Sequence, residues 1–108
     1  MKIGLWNAAA LAGLLLLAAG GANAQDRAGN AAAGKDLAVR SCSSCHAVEA
    51  AGQTRTDAAP AFLSIARDRS PAALTAWLLE PHPPMPNLSL TVTEIRNLVA
   101  YIQGLRTP

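Results

Sequence analysis

Cys42-Ser43-Ser44-Cys45-His46 is the densest concentration of chemically capable side chains in this sequence of 108 residues. Two thiols separated by two residues and followed at once by an imidazole form the C-x-x-C-H pattern of covalent haem c attachment. The spacing is a matter of reach. Both thiols can add to vinyl groups along one edge of the porphyrin, and the next residue then swings beneath the ring to offer its imidazole to iron. Three uncommon residues in fixed order make this far more specific than a bare C-x-x-C. Two other chemistries use the same residue types. A thioredoxin-type dithiol needs a β-α-β setting, and a zinc site needs two further Cys or His ligands at recognisable spacing. Beyond His46 the sequence offers only His82. A plain disulfide is the remaining alternative, and it closes so short a loop that it restrains the unfolded chain little.

The elements that must position these groups follow a leader. Lys2 gives a positive start, Ala8 to Ala19 is an uncharged apolar run, and Ala22-Asn23-Ala24 has small-x-small cleavage chemistry, so residues 1–24 read as a secretory signal peptide. Export implies a periplasmic protein. An uncleaved membrane anchor is the competing reading, opposed by Asn7, four glycines and the Ala-x-Ala ending. Removing 24 of 108 residues leaves an 84-residue chain, small enough that a hydrophobic core alone gives thin stability. Residues 25–30 read as a flexible N-terminal arm and 31–108 as a single domain.

Ala31 to Ser41 holds good helix formers and runs into Cys42. Ala47 to Ala59 lacks periodicity and reads as a surface loop. Pro60 to Arg69 places Phe62, Leu63, Ile65 and Ala66 at helical spacing, for a short helix or a packed turn. Ser70-Pro71 opens a helix to about Glu80 that carries Leu74, Trp77 and Leu78, and Pro81, Pro83, Pro84 and Pro86 forbid its continuation. Met85 sits within that proline-rich strap. Thr91 and Glu94 stand at capping-box spacing before an apolar stripe of Ile95, Leu98, Val99 and Ile102 that ends at Gly104. Nothing alternates with period two, so the fold class is all-α.

In this order the chain resembles the class I, mitochondrial-like bacterial cytochromes c. The resemblance spans Ala32 to Arg106: Gly34 in the first helix, Cys42-Ser43-Ser44-Cys45-His46, a proline loop at Ala59-Pro60, the Pro84-Met85-Pro86 strap, and Leu98-Val99-Ala100-Tyr101-Ile102 in the final helix. It implies a bundle of three to five short helices wrapped around one haem c held by Cys42 and Cys45. It also implies His46 and Met85 as axial ligands, with the Pro60 carbonyl receiving the second N–H of His46. Such a bond orients a metal-bound imidazole and tunes its basicity, and a thioether on the opposite face raises the reduction potential. The chain departs from its relatives at Ala38, where an aromatic ring often packs on the last helix, and in lacking a lysine-rich haem edge. Gly34 still allows the first and last helices to approach closely.

His82 rivals Met85 as a ligand, and its other reading is an exposed or haem-edge histidine. Trp77 reads either as a core residue or as an N–H donor to a haem propionate. Tyr101 reads as a packing residue of the helix interface, with a propionate or surface hydrogen bond as its alternative, and Asn87 as a turn residue, with support of the methionine strap as its alternative. Net charge is +2 over the whole sequence, seven arginines are scattered and Lys35 is the only lysine outside the leader, which excludes nucleic-acid binding. The function expected is periplasmic single-electron transfer, not catalysis, with a dehydrogenase, oxidase or bc1-type complex as redox partner. Membrane contact arises only if the leader is retained. The chain would serve as a free carrier or as the cytochrome subunit of a dehydrogenase. The alternatives are an open-site haem protein binding a gas or peroxide, and a haem-free dithiol protein.

Overall fold

The computed structural model describes residues 28–52, 57 and 59–107. Among them are four helices and no strand: α1 (Ala31–Ser41), α2 (Phe62–Asp68), α3 (Pro71–Leu79) and α4 (Val92–Gly104). The expected leader and the first residues of the expected arm lie outside the described residues, as does part of the loop before Pro60. No helix among the described residues is long and apolar enough to cross a membrane.

Local chemistry sets the helix limits. The Asn30 side chain accepts from the Ala33 N–H at 3.0 Å and caps α1. Ser70 does the same for α3 through the Ala73 N–H, and Pro71 occupies the first turn, where its missing N–H costs nothing. At α4 the box is reciprocal: the Thr91 N–H donates to Glu94 Oε2 at 2.8 Å, and the Glu94 N–H donates to Thr91 Oγ1 at 3.2 Å. The Thr91 N–H bond, joined by the Thr91 hydroxyl donating to the same Oε2 at 2.9 Å, holds the Glu94 carboxyl below its ordinary value.

Helix α4 organises the rest. α1, α2 and α3 each pack on it and not on one another, and the α1–α4 contact is the most extensive. That crossing depends on Gly34: a Cβ there would overlap the Asn97 carbonyl oxygen and lie 2.6 Å from its carbon and 2.9 Å from Tyr101 Cβ. Gly29, at φ +85°, turns the incoming chain against the Arg96 carbonyl, a conformation that side chains disfavour. Asn30, the last residue of the expected arm, then donates its N–H to Asn97 Oδ1 at 2.7 Å. Ala38, fully buried, fills the place beneath α4 with one methyl group.

The core consists of Leu37, Ala38, Cys42, Val48, Phe62, Ala66, Leu74, Leu98, Tyr101 and Ile102. It is thin, and Leu98 is the only large side chain wholly removed from solvent among the described residues. Of the three apolar residues read along α3, Leu74 is buried and Leu78 packs on the core, but Trp77 is 41% exposed. Its ring lies against His82 of the strap.

Candidate functional site

The C-terminal end of α1 delivers the cysteines. The Cys42 and Ser43 N–H groups both donate to the Ala38 carbonyl, closing the helix. The chain then reverses: the N–H groups of Cys45 and His46 both donate to the Cys42 carbonyl, at 3.2 and 2.9 Å. This compact turn leaves Cys42 buried, Cys45 exposed and His46 half-buried, with both thiols free.

The turn does not suit a redox dithiol. Burial pushes the Cys42 thiol up from its ordinary value, and the C-terminal end of a helix further disfavours a thiolate. An attacking cysteine needs the reverse, a lowered pKa beside positive charge or a helix N-terminus. A zinc site lacks ligands too, since no three His, Cys, Asp or Glu side chains gather to hold a metal ion among the described residues.

His46 is oriented from two sides. Its Nδ1 lies 2.6 Å from the Pro60 carbonyl oxygen. A carbonyl can only accept, so Nδ1 carries the proton of this bond, and in the neutral ring the lone pair is on Nε2. Nε2 makes no hydrogen bond among the described residues. The second constraint is Phe62, whose ring rests on the imidazole with centroids 5.3 Å apart at 52°. The Phe62 N–H donates to the Ala47 carbonyl at 2.9 Å, which ties the proline loop to the residue after His46. The role of Phe62 was missed in the sequence, where it reads as the first apolar residue of a short helix; its place two residues after Pro60 is the one signal available. Tyr101 is buried, and its hydroxyl donates to the Val48 carbonyl at 2.6 Å. Burial pushes its phenol above the ordinary value.

The strap between α3 and α4 carries Met85, half-buried, with its N–H donating to the His82 carbonyl at 3.0 Å. His82 is exposed, and its ring lies against Trp77 with centroids 4.6 Å apart. The Arg69 guanidinium is 5.8 Å from the centre of the Trp77 ring. Asn87 accepts the Ser89 N–H at 2.8 Å, a local turn of the kind its side chain favours. A separate cavity of about 380 Å³ lies between α3 and α4, and none of its lining residues belongs to the Cys42–His46 run or to the strap.

The donor set fits a covalent haem. Two thiols at attachment spacing stand beside an imidazole whose Nδ1 is engaged and whose Nε2 lone pair is unspent, and a thioether is available in a proline-restrained strap. The thin core is also what a chain built to fold around a large apolar group would have.

Comparison with known proteins agrees. Residues 29–102 match the family model described as cytochrome c oxidase, cbb3-type, subunit III. The chain is 44% identical over 95 residues to cytochrome c-552 of Bradyrhizobium diazoefficiens, a match covering 85% of this chain and 90% of the relative. No solved structure matches significantly. With C-x-x-C-H attachment spacing, an all-α fold and these two matches, the chain belongs to the family of small bacterial c-type cytochromes represented by the cbb3-type subunit III model.

Proposed function

We propose that the protein transfers single electrons in the periplasm through one haem c, attached by Cys42 and Cys45 and ligated by His46 and Met85. The observation that carries this reading is the His46–Pro60 contact at 2.6 Å, which leaves Nε2 of an attachment-motif histidine free for iron. When bound, the haem supplies a one-electron iron couple that needs no substrate pocket.

The chain's own residues supply the rest. Cys42 and Cys45 fix the group to the end of α1. Pro60 and Phe62 hold the imidazole plane, and the Nδ1–H···O bond raises the basicity of His46. Met85 offers a soft donor that favours the reduced state. Trp77 is exposed, and its indole N–H makes no hydrogen bond among the described residues, which suits it to a haem propionate. Residues 1–24 act as the export signal, with the cytochrome domain occupying 31–108.

The description of the matching family supports a respiratory oxidase complex as partner, reached as a subunit or by diffusion. Near-neutral charge gives weak electrostatic steering and favours an apolar docking patch. Spectroelectrochemical titration of the haem-loaded protein tests the electron-transfer role. The expected result is one reversible one-electron wave, with an unchanged ligand set and no carbon monoxide binding at neutral pH. Ready carbon monoxide binding by the unaltered protein would overturn this in favour of an open-site gas or peroxide protein.

A further inference from the structure

Tyr101 lies on α4, and its hydroxyl reaches across to the backbone just after the attachment turn. We infer that Tyr101 is a positioning residue for His46, acting through the carbonyls of Val48 and Ala47. The inference rests on the haem reading above and concerns how the proximal imidazole is held.

The coupling runs through consecutive contacts. Tyr101 donates to the Val48 carbonyl at 2.6 Å in a buried setting. One residue earlier, the Ala47 carbonyl receives the Phe62 N–H at 2.9 Å. Phe62 packs its tilted ring against the His46 ring, and Pro60, two residues before it, supplies the oxygen that engages Nδ1. Segment 46–48 is thus held on one side by α4 and on the other by the loop bearing the Nδ1 acceptor. The nearby Lys35–Glu49 ion pair, at 3.2 Å between half-exposed side chains, adds little restraint in water.

Removing the phenolic hydroxyl leaves a buried carbonyl without its donor, and such a group seeks another partner. The adjustment open to it is rotation of the 48–49 peptide, to which that carbonyl belongs; this turns Val48 and shifts the adjoining 47–48 peptide, whose Ala47 carbonyl seats Phe62, and through it Pro60, beside His46. A looser Nδ1–H···O bond makes the imidazole less basic, so the oxidised state loses stabilisation and the reduction potential rises.

The test uses the haem-loaded protein and three samples beside the unaltered one. Tyr101→Phe removes the donor and keeps the ring. Ser70→Ala removes the α3 cap and lowers stability without touching segment 46–48. Because Tyr101 is the only tyrosine in the chain, biosynthetic 3-fluorotyrosine strengthens this one donor with little change in packing. The readouts are hydrogen–deuterium exchange of the His46 Nδ1–H by NMR and the reduction potential. Tyr101→Phe is expected to speed this exchange about tenfold beyond Ser70→Ala and to raise the potential, while fluorotyrosine slows exchange and lowers the potential. Equal exchange in Tyr101→Phe and Ser70→Ala, or a potential indifferent to fluorination, would reduce Tyr101 to a packing residue. If Tyr101→Phe does not accumulate, the fluorotyrosine sample decides alone. A preparation without covalent haem refutes the functional reading and this role together; a haem-loaded protein lacking the shifts refutes this role only.

Discussion

Replacing Cys42 and Cys45 together by alanine is expected to abolish covalent haem attachment and leave an apo-chain that is largely unfolded. The reason is the smallness of the core. Among the described residues Leu98 is the sole large side chain fully withdrawn from solvent, while Trp77, Leu79, Leu88 and Val92 stay well exposed. A domain of this size has little stability to spare, of the order of 5 kcal/mol even when well packed. Cys42, at the end of α1, is itself a core member, so its truncation removes core packing as well as a tether. The larger loss is the haem, whose burial would otherwise be folding free energy in the way a structural metal's is. Far-ultraviolet circular dichroism of the double variant should show most of the helical signal gone. A haem-free double variant with native helicity and a cooperative melt would mean that the polypeptide folds unaided.

Replacing Met85 by alanine is expected to remove the far-red sulfur-to-iron band of the oxidised protein, lower the reduction potential and open the iron to cyanide or carbon monoxide. His82→Ala should do none of these. Met85 is half-buried, flanked by Pro84 and Pro86, and followed by the Asn87–Ser89 turn and the Thr91–Glu94 box that opens α4. Prolines lower the entropy lost when such a side chain is held in place. His82 is exposed and its ring is occupied against Trp77. Each tenfold loss of preference for the reduced state is ~59 mV in a one-electron couple, and exchange of a thioether for water should span a few such steps. If His82→Ala opens the iron while Met85→Ala leaves the spectrum intact, the protein is a bis-histidine cytochrome and its high potential is wrongly inferred.

The parts of the fold that could be read in advance are those determined by near neighbours. Ser70-Pro71 and Thr91 with Glu94 are short-range capping patterns, and α3 and α4 begin where they stand. α1 runs from Ala31 to Ser41 as its composition implies, and the attachment motif lies within five consecutive residues. What escaped reading joins distant positions. The Tyr101–Val48 bond spans 53 residues and the Asn30–Asn97 bond 67, and neither leaves a local pattern. The contact of Phe62 with His46 joins residues 16 positions apart across an aperiodic stretch, and no local pattern announces it. Trp77 shows the limit from the other direction: its place on a helix was evident, but Leu74 and Leu78 of that helix join the core while its own ring stays exposed, beside His82 of the strap.

The most direct test of the central claim is the intact mass, under denaturing conditions, of the protein expressed with export to a haem-attaching periplasm. Thioether bonds survive denaturation, so the expected result is a chain beginning at Gln25 and carrying the added mass of one haem. The mass of the bare chain, or of a chain lighter by two hydrogens through a Cys42–Cys45 disulfide, would contradict it.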